Sequence, residues 1–215
     1  RIYEKTLGTD HIHVATTINH LATVYEKQGR FGAALTLYER TLTIYEKNLG
    51  TEHTWVAIAL NNLATACQSQ HDLDRAETLL KRALAILEKT LGADHPHTAS
   101  ALINLANNYE LKANFSDARK LIERALAVKE KTLGKNHPDV AQVLLFLGNI
   151  TKDEGDYKRA IRQYERAKKI FVQSLGQNHP QVAATLNNLA NVYRSQADFE
   201  RALPLYLRAI AIEEK

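Results

Sequence analysis

Sulfur chemistry is almost missing from this sequence: one cysteine, Cys67, and no methionine. A single cysteine excludes an internal disulfide and fits a reducing compartment. No apolar run approaches the roughly 18 residues of a membrane span, and no secretory signal opens the chain, so nothing in it anchors to lipid. The phosphate-binding glycine loop, GxSxG and HExxH are absent too, which removes the usual marks of a nucleotidase, a serine hydrolase and a zinc protease. Clustered positive charge is also lacking. The net charge is +4, with the basic residues interleaved with Glu in "YEK", "LEK" and "KEK". At helical spacing such a mixture reads as a solvated outer face, whereas a nucleic-acid surface needs a basic patch. What remains, 45% hydrophobic and 24% charged residues over 215 positions, is the composition of a packed protein rather than a disordered one.

What the sequence does contain is a period. LGTDHI from Leu7, LGTEHT from Leu49, LGADHP from Leu91, LGKNHP from Leu133 and LGQNHP from Leu175 stand 42 residues apart with no insertion or deletion. A fixed period replaces the question of domain number with a count of stacked repeats, here approximately 9–50, 51–92, 93–134, 135–176 and 177–215, one array over 1–215. Residues 1–8, "RIYEKTLG", match the helix end "TIYEKNLG" and are expected to close a preceding helix; "IAIEEK" stops where the next LG would follow. Both suggest a piece of a longer array.

In the second copy Val56, Leu60, Leu63 and Cys67 fall on one helical stripe, and Leu73, Ala76, Leu80, Ala83, Leu84 and Leu87 on another after a break at "SQHD". Each unit therefore reads as a helical hairpin. Gly29 and Gly155 mark the turn between its helices, with His71, Ala113 and Ala197 in their place elsewhere. The first helix is expected to begin at the His-Pro step, with Pro96, Pro138 and Pro180 in the first turn and Asp94, Asn136 or Asn178 as caps. Small residues (Ala34, Ala76, Ala118, Ala160 and Ala202; Ala22, Ala64, Ala106, Gly148 and Ala190) alternate with bulky Phe31, Leu73, Phe115, Tyr157 and Phe199, the pattern of interdigitating helices. One hairpin cannot bury its stripe alone, so neighbours must stack.

The Leu-Ala pairs of the first helix, Tyr25, Tyr109 and Tyr193 four residues after Leu, the turn residue, and Ala34, Tyr38 and Thr41 resemble the tetratricopeptide repeat (TPR) signature. The 42-residue period, "HPxVAxxLNNLAxxY" from His179 to Tyr193 and "LYERTLTIYEKNLG" resemble the kinesin light chain type of TPR. The likeness spans the chain and is weakest in copy four, where "LLFLGNITKDEG" departs from the pattern. It implies an all-α, right-handed TPR superhelix of five hairpins, an α-solenoid whose concave groove grips a peptide, and no enzyme.

The face opposite the buried stripe is legible directly. With Val14, Ile18, Leu21 and Tyr25 inward, Thr16, Asn19, His20, Thr23 and Lys27 point away. The equivalents are Ile58, Asn61, Asn62, Thr65 and Ser69; Ser100, Ile103, Asn104, Asn107 and Leu111; Gln142, Leu145, Phe146, Asn149 and Asp153; and Ala184, Asn187, Asn188, Asn191 and Ser195. Nine of the fourteen asparagines lie on this face, although Asn is a poor helix former. A carboxamide complements a peptide group, so the expected role is to hold an extended partner segment, roughly three residues per repeat. The alternative is a ladder that only ties neighbouring helices together. Ile103, Leu111, Leu145 and Phe146 would add an apolar anchor site, or merely pack on neighbours. Glu26, Gln68, Glu110, Lys152 and Arg194 run from acidic to basic, so any preference for acidic peptides is confined to the C-terminal half.

No metal or cofactor is expected. His11, His53, His95, His137 and His179 recur once per repeat, about 10 Å apart if stacked, too far to share an ion; a helix-start role fits them better. Cys67 reads as core, and Arg40, Arg82, Arg124, Arg166 and Arg208 as structural groups pairing a carboxylate or loop carbonyl. The expected function is a non-catalytic cytoplasmic scaffold or adaptor that binds a protein segment, and neither nucleic acid nor membrane. A structural spacer or oligomerisation array is the first rival and an RNA-binding helical repeat the second.

Overall fold

The computed structural model of the chain describes residues 8–214, so the expectation for residues 1–7 lies outside it. Ten α-helices are present among the described residues: α1 Ile12–Lys27, α2 Phe31–Leu49, α3 Thr54–Ser69, α4 Leu73–Leu91, α5 Pro96–Leu111, α6 Phe115–Leu133, α7 Pro138–Asp153, α8 Tyr157–Leu175, α9 Pro180–Ser195 and α10 Phe199–Glu213. They fall into two compact units, Arg1–Lys112 with α1 to α5 and Ala113–Lys215 with α6 to α10. In the first, α1 packs on α2 and α3 on α4 as hairpins, and α2 leads into α3 and α4 into α5. In the second, α7 pairs with α8 and α9 with α10.

Local chemistry fixes the junctions. Each odd-numbered helix is capped by the histidine of the repeated motif: Nδ1 of His11, His53, His95, His137 and His179 accepts a hydrogen bond at 3.1–3.2 Å from the backbone N–H two residues on. This satisfies one of the orphan donors of the first turn. The expected caps Asp94, Asn136 and Asn178 are therefore displaced by one residue, because it is the histidine that has the extended backbone of a cap, with φ near −80° and ψ near 143°. The glycine of the same motif ends each preceding helix at φ +80° to +91° and ψ 152° to 164° (Gly50, Gly92, Gly134 and Gly176), a region open essentially to glycine alone. The turns inside the repeats are left-handed as expected, at Gly29 and Gly155 but also at His71, Ala113 and Ala197. Of the even-numbered helices, α4, α6, α8 and α10 are capped by Asp72, Asn114, Asp156 and Asp198, whose side chains accept from the backbone three residues on.

The core of the first unit gathers Val14, Ile18, Ile44, Tyr45, Val56, Leu60, Ile86 and Leu87. That of the second gathers Val140, Leu144, Ile170, Phe171, Val182, Leu186 and Ile212. Leu21, placed on the inward stripe by its spacing, is exposed, while its counterparts Leu63, Leu105, Leu147 and Leu189 are buried; Cys67 is buried as expected. The arginine column has the structural role assigned to it. Arg82 pairs with Glu46 at 2.7 Å and donates to the carbonyl of Thr51; Arg166 pairs with Glu130 at 2.6 Å and donates to that of Lys135. Arg40 donates to the carbonyl of Thr9, and Arg208 to the side-chain Oδ1 of Asn178.

One of the departures in copy four, Gly148, has a packing counterpart. Gly148 stands where other copies have alanine, and a Cβ there would lie well inside contact distance of the Tyr164 ring. Tyr164 is fully buried and its hydroxyl reaches Asn149 Oδ1 at 2.6 Å, so the ring cannot withdraw without losing that bond. Gly148→Ala should accordingly destabilise the protein by about 1 kcal/mol, overpacking outweighing the gain in helix propensity. In a Tyr164→Leu background the same change should become stabilising by roughly 0.5–1 kcal/mol. Chemical denaturation of the four variants checks the reversal of sign.

Candidate functional site

The asparagine-rich face is built by α1, α3 and α5 in the first unit and by α7 and α9 in the second. Two adjacent columns define it. In the first unit, Asn62 of α3 donates through Nδ2 to Asn19 Oδ1 of α1 at 3.0 Å, and Asn104 of α5 donates to Asn61 Oδ1 of α3 at 3.4 Å. The second-column amide of each helix thus reaches back to the first-column amide of the helix before. These bonds are the ladder considered as an alternative to peptide binding, yet they engage only one N–H of each donor amide; its second N–H and its oxygen remain. Asn61 is sunk in the wall at 9% exposure, whereas Asn19, Asn62 and Asn104 are half-buried.

Between α3 and α5 the wall opens into a hollow of about 170 Å³ lined by Ile58, Asn61, Asn62, Leu87, His97, Ser100 and Asn104. Half-buried Ile58 supplies apolar surface above the buried Leu87, and three carboxamides, a hydroxyl and an imidazole supply polar groups, with no carboxylate and no permanent cation. Five of the seven were legible as face residues. Leu87 belongs to the core stripe of α4, and His97 follows the capping histidine in a column (His13, Trp55, His97, Asp139, Gln181) whose variability was its only signal.

The third column is anchored from behind. Tyr38 of α2 lies 3.1 Å from Thr23 and donates to Glu26 at 2.9 Å, burial pushing its phenol up to about 12. Tyr164 donates to Asn149, and Tyr206 to Asn191 Oδ1 at 2.7 Å. Leu80 occupies the tyrosine position in the second hairpin, and Thr65 there donates to the carbonyl of Asn61. Asn107 instead donates to Gln68 Oε1 at 3.4 Å. Gln68, expected at the exposed end of the face, is buried and donates to Asn108 Oδ1 at 3.2 Å; Asn108, fully buried, donates to the carbonyl of Leu73. Sequence spacing missed this pair because Asn108 stands in a column of Val24, Ala66, Ile150 and Val192.

Other predicted residues divide between wall and margin. His20, Lys27 and Leu111 are exposed. Asn187 donates to Glu213 at 3.4 Å, while Asn188 is half-buried and, among the described residues, bonds to no neighbouring helix. Phe146 is half-buried. Leu145 packs against the clusters that contain Leu186, Leu189 and Val192, which gives it the packing role rather than that of an open anchor. The recurring histidines serve as helix caps, one per repeat.

The profile of the tetratricopeptide repeat family matches residues 1–47, 14–89, 55–131, 111–171 and 139–215. The chain belongs to this family. Among solved structures, this TPR chain is similar to a Podosopora anserina kinesin light chain with nearly identical TPR-like repeats, at 27% identity and a TM-score of 0.83 over 94% of this chain and 96% of that one. It is also similar to BtubC (BKLC) from P. vanneervenii, at 25% identity and a TM-score of 0.84 over 100% of this chain and 85% of that one. MamA, at 17% identity and a TM-score of 0.62 over 90% of this chain and 94% of that one, shares the fold. No curated protein matches the chain. The kinesin light chain type of TPR and the all-α solenoid class read from the sequence are thus borne out. Among the described residues no helix is long and apolar enough to cross a membrane.

A charged cluster braces α5 of the TPR array against α4. Lys112 lies 2.7 Å from both Glu77 and Asp74, Lys81 pairs with Glu77 at 2.6 Å, and Tyr109 donates to Glu77 at 3.2 Å. Hydrogen bonds from Lys112 first, then Lys81, hold the Glu77 carboxyl down at about 2 against the opposing effect of burial. A carboxyl lowered from an ordinary 4.5 stabilises the fold above that value and loses its contribution as pH falls toward about 2. Between pH 6 and pH 2.5 the native protein should therefore lose more unfolding free energy than Glu77→Gln, by on the order of 1 kcal/mol after solvent screening. Urea melts of both proteins at the two pH values measure the difference.

Proposed function

We propose that this TPR chain is a non-catalytic binding module of the cytoplasm, its five repeats over 1–215 forming one interaction unit that holds an extended segment of a partner protein along the asparagine-rich face. The observation that carries this reading is the hollow between α3 and α5, where the ladder engages one N–H of Asn62 and of Asn104 and leaves the other N–H and the oxygen beside the half-buried Ile58. Its volume suits one side chain of a guest, and the amides beside it complement the guest's backbone whatever its sequence. Along the rest of the face Asn19, His20, Thr23, Lys27, Asn61, Thr65, Asn107 and Leu111 continue the site in the first unit, and Phe146, Asn149, Asn187, Asn188 and Asn191 in the second. A partner of the kinesin light chain cargo or adaptor kind is consistent with the similar structures. The lack of a basic patch favours protein over nucleic acid, and the lack of a long apolar segment favours it over membrane.

A peptide selected from a random library on the immobilised chain provides the ligand. Asn62→Ala, Asn104→Ala and Asn188→Ala should each weaken it about five- to tenfold. Asn188→Ala should leave the melting temperature unchanged, while the other two also lose a ladder bond and melt a few degrees lower. An unchanged affinity in the triple variant, alongside a lowered melting temperature, would assign the amides to the ladder alone and overturn the proposal.

A further inference from the structure

The hollow between α3 and α5 has a polar floor. Asn61 lines it with only 9% of its surface exposed. Its Oδ1 accepts from Asn104 Nδ2 at 3.4 Å and its backbone carbonyl accepts from Thr65, but among the described residues its amide Nδ2 meets no acceptor. Two N–H groups sunk this deep without an acceptor are costly. The same position holds Ile103 and Leu145 in the next two copies, so the repeat fold does not need an amide there. Since Asn61 lines the hollow and its oxygen is engaged, the nitrogen is the end it offers a guest.

The ladder bonds also settle which end of each neighbouring amide is which. Asn62 donates through Nδ2 to Asn19, and Asn104 through Nδ2 to Asn61, so Oδ1 of both remains as an acceptor on the wall. His97 and Ser100 are exposed at the rim, and Ser100 commits its proton to the carbonyl of Pro96 at 3.2 Å. The hollow thus offers donors from Asn61 and acceptors from Asn62 and Asn104, and its lining contains no Lys, Arg, Asp or Glu. An aliphatic guest would leave the Asn61 N–H groups unpaired. A carboxylate would take those donors but lie against two amide oxygens, with no permanent cation to offset its desolvation. An ammonium would lie against the Asn61 N–H groups with no anion. A carboxamide presents an acceptor and a donor pair at once and carries no charge.

We propose that this hollow selects a carboxamide side chain, glutamine or asparagine, from the bound segment, with the guest's oxygen on Asn61 Nδ2 and its N–H groups on Oδ1 of Asn62 and Asn104. This selection presupposes the binding role proposed for the asparagine-rich face and adds to it a chemical preference at one position of the guest. The other amides of the face hold the guest's backbone whatever its sequence, whereas Asn61 reads one side chain.

Parallel selections from one random peptide library on the native chain and on Asn61→Leu test this. The substitution copies the aliphatic residues that copies three and four carry at this position. The native pool should share Gln or Asn at one position, and the Asn61→Leu pool an aliphatic residue there. In a native-selected peptide, replacing that amide by Met or by Glu should weaken binding to the native chain about ten- to thirtyfold, while the Met change costs less than about threefold on Asn61→Leu. Taking the ratio of affinities on each protein removes any general effect of losing the Asn104 ladder bond. A native pool without a shared amide position overturns the selection, as does the same consensus from both proteins. In either case, peptides that bind more weakly to the triple variant Asn62→Ala, Asn104→Ala, Asn188→Ala leave the binding role of the face standing, whereas peptides indifferent to that variant overturn both.

Discussion

The geometry of the junction between repeats governs everything built on it. A glycine at φ near +85° with extended ψ stops one helix, and a histidine three residues later caps the next. Because the glycine conformation is closed to other residues and the cap fixes where the first N–H groups point, α3, α5, α7 and α9 each start at the same place relative to the helix before. Equal starts put equivalent side chains into columns. Asn19 then meets Asn62, and Asn61 meets Asn104, through the same pair of positions; a shift of one residue would turn each amide about 100° round its helix and break both contacts.

The ladder bonds between the columns do not exclude the proposed binding role. An Asn in mid-helix competes with its own backbone, and a ladder bond between helices offsets part of that cost. The bond also fixes the rotamer, so the rest of the amide points in a set direction rather than sampling several, and under the proposed function a guest would lose less entropy on binding there. Tyr164 and Tyr206 do the same for Asn149 and Asn191 by reaching through from the second helix of their hairpins. In copy four the Tyr164 ring approaches residue 148 closely enough that glycine stands there, whereas Tyr38 and Tyr206 occupy the same position beside Ala22 and Ala190.

Periodicity made much of this legible. The period located the turns and helix starts to within a residue, the stripes gave the core, and the opposite face gave most of the residues around the hollow. Where the sequence misled, a local competition was decided by backbone geometry. Asp94 and His95 are both plausible caps, and only the extended backbone at His95 selects between them. Gln68 and Asn108 looked exposed or unremarkable, but they are polar side chains that satisfy each other in the interior, and spacing alone carries no sign of such a pair. Leu21 sits on the inward stripe and is nonetheless exposed, while its counterparts Leu63, Leu105, Leu147 and Leu189 are buried, because a stripe predicts orientation and not burial.

Side-chain carboxamide protons report most directly on whether the face holds a guest. In a ¹H–¹⁵N spectrum of the chain titrated with a library-selected peptide, the NH₂ resonances of Asn62 and Asn104 should move by more than those of Asn48 and Asn114, which lie away from the face, and should gain protection from solvent exchange. If the peptide binds while these two side chains keep their free-state shifts, the guest lies on another surface and the asparagine columns serve only to tie helices together.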